Sequence, residues 1–231
     1  MRLEFIIGFQ FLIIAFISYV ITITFAGWFE SLIALQVGDD APEQAGFLTL
    51  NPLEHFNVFG FAALLWGVFY KDVLPISLIP GWGRYIPLIP DNINGSFYKL
   101  RVFIEYVGRS FAHLILLICA ATCMMLLSGI HLHEMAPMAV TQMTSSRESI
   151  IGLLLFMCQQ NLVLFAIHFI LGIFKYIIYF HAPKIQEFSA TTMILSFIGL
   201  LFLLVTFGEA VQDFAVWLVM GVRTLLVLLL K

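Results

Sequence analysis

The chain has 231 residues, of which 61% are hydrophobic and 11% charged, with a formal net charge of -3; its mean hydropathy is +1.02. A soluble domain carries about 45–50% apolar and about 25% charged residues, so these charges are too few to solvate a water-facing surface and the chain reads as an integral membrane protein. The small net charge, without a basic block, argues against nucleic acid as a partner.

A bilayer-crossing helix needs about 20 apolar residues, because lipid offers nothing to satisfy backbone groups. In chain order the predicted elements begin with Phe5–Phe29, which has the length of a transmembrane helix rather than of a signal-peptide core. A polar connector, "GDDAPEQAGFLTLNPLEHF" (Gly38–Phe56), follows. Phe56–Tyr70 is a short second span ending at Lys71-Asp72. The loop Pro75–Arg109 holds prolines at 75, 80, 87 and 90 and cannot be helical throughout. Trp82 and Tyr85 read as its interfacial anchors. Phe111–Ile130 is a clear span, and Ile150–Phe180 is a long one interrupted by the amides Gln159, Gln160 and Asn161. Ala190–Phe207 and Phe214–Leu230 form a final pair. The expected fold is therefore an all-α polytopic bundle of about six spans, a single membrane domain over 1–231 with a C-terminal helix pair at 190–231. Cys119, Cys123 and Cys158 lie in apolar runs and read as small packing residues, not a disulfide framework. No repeat or low-complexity tract interrupts the chain.

Six spans would put residues 71–109 on the side of both termini. Arg2, Lys71, Arg84, Lys99, Arg101, Arg109, Lys175, Lys184 and Lys231 would then share one side, and Arg147 would be the lone basic residue on the other. Because basic loops stay cytoplasmic, this count makes both termini cytoplasmic and puts the acidic connector outside. A bacterial inner membrane, or an organelle membrane, is the expected location.

Gly38-Asp39, Gly46, Leu48-Thr49-Leu50-Asn51-Pro52 and His55 resemble, in order and spacing, the connector after the first core helix of the site-2 protease family, the intramembrane zinc metalloproteases. "GWGRYIP" and "NLVLFAIHFI" are similar to later family segments, so the resemblance covers roughly residues 10–178. It implies a helix bearing H-E-x-x-H, with two histidines as zinc ligands and the glutamate as general base, and a third ligand, an aspartate, from a distant helix. In this register the first histidine falls at Ala26, the glutamate at Gly27, the second histidine at Glu30 and the aspartate near Tyr176. None of the four is present, so the resemblance implies a pseudoenzyme without a metal or other cofactor. In the family the H-E-x-x-H helix commonly runs toward the cytoplasm, which opposes the charge count above.

The expected role is binding transmembrane helices of a partner or client, with the bilayer as solvent. The candidate contact residues are Glu30, Asn51, His55, Asn57, Gln159, Gln160, Asn161 and His168. Each has a plainer reading. Glu30 is an interfacial carboxylate at a helix end, and His55 donates to connector carbonyls. Asn51-Pro52 starts a turn or caps a helix. The amides and His168 bind helix to helix, since amides do not face hydrocarbon cheaply. Three alternatives stand beside the adaptor. An active metalloprotease with divergent ligands would draw on His55 or on "HLHEM" (His131–Met135). A haem subunit would use His113 and His168 as axial ligands. A small transporter is the third.

Overall fold

The computed structural model describes residues 2–69, 81–128 and 146–181. Among these, every regular element is helical: α1 (Arg2–Val37), α2 (Ala41–Gln44), α3 (Pro52–His55), α4 (Val58–Phe69), a 3₁₀ turn (Pro90–Asn92), α5 (Tyr98–Ser128) and α6 (Ser146–His181). Three stretches, Phe9–Val37, Tyr98–Leu127 and Glu148–His181, are long and apolar enough to cross a membrane, and α4 is a shorter apolar helix. The predicted pair at 190–231 and the "HLHEM" segment lie outside the described residues. Both long boundaries differ from expectation. α1 continues to Val37 and α5 begins at Tyr98, because in a packed bundle the polar residues Glu30, Glu105 and Arg109 find partners or burial within the helix instead of ending it.

α1, α5 and α6 form the bundle. α5 runs antiparallel to α1: Arg101 Nη1 donates to Val37 O at 3.5 Å, Gly108 packs on Ile33, and Arg109 meets Glu30. α6 returns parallel to α1, with Phe11 against Phe156 edge-on and Ser18 bonded to Gln160. Gly172 lets α6 approach the backbone of α5 at Tyr106, where a Cβ would overlap the Tyr106 carbonyl. An aromatic group of Tyr98, Tyr106, Tyr176, Tyr179 and Phe180 closes the end of the bundle near Val37. Tyr176, where the resemblance expects an aspartate ligand, belongs to this group and stacks edge-on with Phe103.

The connector explains the polar insert. After Gly38 the chain descends alongside α1, so that His55 lies against Gly27 and the Tyr19 hydroxyl reaches the carbonyl of Asn57 at 3.0 Å. Gly27 is ten residues from Val37, about 15 Å of helix rise. α4 continues down, Phe61 and Val68 packing on the cluster of Ile14, Ala15, Tyr19 and Leu64. At Gly81 the described chain is again beside Tyr19 and Gly60, and it climbs past His55 to Asp39. There Asp39 Oδ2 accepts from Ile89 N at 2.7 Å and Oδ1 from Asn92 Nδ2 at 2.8 Å.

Residues 89–101 therefore sit at the same end of the bundle as Gly38. This corrects the premise of the six-span charge count, which separated Gly38 from residues 71–109 by a full crossing. The sequence pattern misleads here because α4, 12 residues long, is as apolar as a crossing helix.

Candidate functional site

Four chain segments, α3, the returning segment at Gly83, α5 and α6, converge on α1 between Thr22 and Ser31. The small residues Ala26 and Gly27 make room there, and the functional geometry divides around them.

On one side lies His55. It is 1% exposed, at the end of α3. That short helix forms because Asn51 accepts from Leu53 N at 3.2 Å as its N-cap and Pro52 opens the first turn. His55 Nε2 donates to Thr49 O at 2.7 Å, which fixes the ring. Its Nδ1 edge rests on Gly27, where any Cβ would overlap the imidazole. Burial holds the His55 pKa below the usual histidine range, partly offset by the bond to Thr49. Arg84 N donates to His55 O at 2.8 Å, tying the returning segment to the connector.

Glu30 lies next to this, 6% exposed and seven residues inside the end of α1. It does not end the helix, which continues to Val37. Its Oε2 is 2.6 Å from Arg109 Nε, an ion pair that lies off the N–H hydrogen-bonding axis. Arg109 Nη2 donates to Arg84 O at 3.0 Å, so one guanidinium joins α1, α5 and the returning segment. Glu105, one turn earlier on α5, is fully buried beside Asp39. Its carboxyl group faces that of Asp39, with no basic side chain bonded to either of its oxygens among the described residues.

The other side of Ala26 holds amides and imidazoles. Asn161 is fully buried; its Nδ2 donates to Thr22 Oγ1 at 3.0 Å and to Met157 O at 2.9 Å, and its Oδ1 lies 2.9 Å from His113 Nδ1. Ser18 Oγ donates to Gln160 Oε1 at 2.6 Å. Gln159 faces outward and is exposed. His113 and His168 stack with ring centroids 5.2 Å apart and planes 11° from parallel. Axial ligands must point at one iron from opposite faces of a porphyrin, and rings lying face to face do not, so this geometry disfavours the haem alternative. A partly open cavity with room for one water-sized group is lined by Ile23, Ala26, Trp82, Gly83, Arg109, His113, Leu164 and His168.

Of the sequence candidates, Glu30, His55, Asn161 and His168 converge around Ala26 and Gly27. Asn51 and Asn57 instead shape the connector, Asn57 Oδ1 accepting from Gly60 N at 2.9 Å at the start of α4. Sequence reasoning missed Arg109, Glu105 and Asp39. Arg109 and Glu105 were assigned to a loop, yet a charge within reach of a long apolar run is the signal of an intramembrane partner. Among the described residues no three His, Cys, Asp or Glu side chains come together as a metal-binding group. Compared with known protein families, curated proteins and solved structures, the chain matches none.

Proposed function

We propose that this is a membrane adaptor: a protein resembling the site-2 proteases that lacks their catalytic residues and binds transmembrane helices of a partner or client. One observation carries the reading. The helix position that the resemblance gives to the catalytic glutamate is Gly27, and the space beside it is filled by the His55 ring from the connector, whose own motif carries the resemblance. The neighbouring ligand position is Glu30, held by Arg109. A cationic guanidinium thus neutralises the carboxylate where the family would hold a metal ion. The arrangement fits a buried site kept as architecture, with polar contacts worth about 1 kcal/mol each in lipid and packing supplying the rest of the affinity.

Orientation belongs to the same proposal. With residues 89–101 at the Gly38 end, Lys99 and Arg101 lie at that end, and the basic-loop rule makes it cytoplasmic. The N-terminus of α1 is then on the opposite side. This replaces the reading with both termini cytoplasmic, and it agrees with the orientation the resemblance implies. A bacterial inner membrane remains the proposed location.

The test is purification from native membranes in mild detergent. A membrane protein that co-purifies stoichiometrically is the expected result, with less than 0.1 equivalent of zinc as a rough bound. Stoichiometric zinc lost on His55→Ala would overturn the reading in favour of a protease with divergent ligands. Protease cleavage at Gly38–Phe56 from the cytoplasmic face only checks the orientation.

A further inference from the structure

One contact at the Val37 end of the bundle joins two acids. Asp39, fully buried just past α1, accepts from Ile89 N at 2.7 Å on Oδ2. Its Oδ1 accepts from Asn92 Nδ2 at 2.8 Å and from Ala41 N at 3.1 Å. A carboxylate offers about four acceptor sites, so these donors leave one. Glu105, also fully buried, bonds to the Asp39 carboxyl from α5. Among the described residues neither Glu105 oxygen has any other hydrogen-bond partner.

Two ionised carboxylates only accept and cannot bond to each other, so this contact contains a proton. Its place follows from the neighbours. A charge on Asp39 is met by three donors, whereas a charge on Glu105 would be met by none. Asp39 is therefore the ionised partner, and Glu105 donates to it. No surrounding group takes the place of that proton. Glu30 on α1 is itself acidic and is paired with Arg109. The Lys175 ammonium on α6 lies over the Tyr85 ring, 5.3 Å from its centre. Tyr106 on α5 and Tyr85 on the returning segment are the remaining neighbours, both phenols. We propose that Glu105 and Asp39 form a proton-dependent latch. With the proton in place the pair holds residues 89–92 on the end of the bundle. Its removal at alkaline pH sets two buried anions against each other and frees that segment.

The latch lies close to water, because Asn92, which bonds to Asp39, is itself exposed. Ile89 is 46% exposed, and its N–H is held by the bond to Asp39. Tyr179 donates to Asp91 in the same segment, a bond that does not involve Glu105. The inference is independent of the helix-binding reading.

The experiment uses the full chain in detergent micelles, titrated between about pH 6 and 10. At neutral pH the infrared spectrum should show the carbonyl stretch of an un-ionised carboxylic acid that Glu105→Gln lacks. In the parent that band should disappear as the pH rises. Over the same range amide exchange at Ile89, corrected for its intrinsic rate, should quicken about 10- to 100-fold, the worth of one hydrogen bond to a charged group. Glu105→Gln keeps a neutral donor toward Asp39, so its protection at Ile89 should not change with pH. No such band at neutral pH, or a band that persists in Glu105→Gln, overturns the shared proton. Loss of the band without faster exchange at Ile89, or equal acceleration in the variant, overturns the latch. Should the variant fail to fold, the parent alone decides: the two titrations must share one midpoint, and separate midpoints overturn the proposal.

Discussion

The two flanks of Ala26-Gly27 use the same residue types to opposite ends. On the Gly27 flank an imidazole is bonded at Nε2, wedged at Nδ1 and backed by a paired Glu30–Arg109. On the Ala26 flank an imidazole is bonded at Nδ1, and its Nε2 is buried without a hydrogen-bond partner among the described residues. Histidine content says nothing about this difference. What decides it is whether the second nitrogen has a neighbour, and that depends on one glycine and one connector.

The comparison is broken most severely by removing the charge that closes the first flank. Arg109→Met leaves Glu30 buried without its cation and should destabilise the protein by about 3–5 kcal/mol, read from the midpoint of detergent-induced unfolding. The double variant Glu30→Leu with Arg109→Met should recover most of the loss. If the single variant is as stable as the parent, the ion pair does not hold this flank together.

Gly27→Ala is expected to cost about 1–3 kcal/mol, because the new methyl and the His55 ring compete for one space. Adding His55→Ala should remove most of that penalty. Additive losses in the double variant would show that the ring does not fill the site.

On the Ala26 flank, Asn161→Leu removes bonds to Thr22 and His113, yet hydrogen bonds between helices in lipid are weak, so the expected loss is about 1 kcal/mol. A loss as large as that for Arg109→Met would mean that this flank holds the bundle together as firmly as the first.

The smallest effect is the pH response of His55. Its folded pKa lies below the ordinary histidine value near 6.5, so the unfolded chain takes up the proton first. Stability from this group is complete above about pH 6.5 and declines as the pH falls toward the folded value. Unfolding midpoints between pH 8 and 5 should show the decline, and His55→Asn should flatten it.

Much of this was legible in the sequence. The long helices follow from apolar length, the Asn51-Pro52 cap from its dipeptide, and the inward placement of Gln160 and Asn161 from the cost of amides in lipid. Three things were not. The return of residues 89–97 to the level of Asp39 is invisible to hydropathy, because α4 is as apolar as a true span. The pairing of Glu30 with Arg109 joins residues 79 positions apart, which no periodicity connects. The outward face of Gln159 depends on which side of α6 meets α1, a matter of packing rather than composition.

The Arg109 bridge also bears on how the protein is made. α1 is synthesised first and carries Glu30 about 10 Å inside its own end, while the cation that neutralises it arrives only with α5. Until then the nascent helix lacks the guanidinium that Glu30 meets in the folded bundle. The contact between Glu30 and Arg109 thus forms only after α5 has been made, and it joins the first long helix to the second.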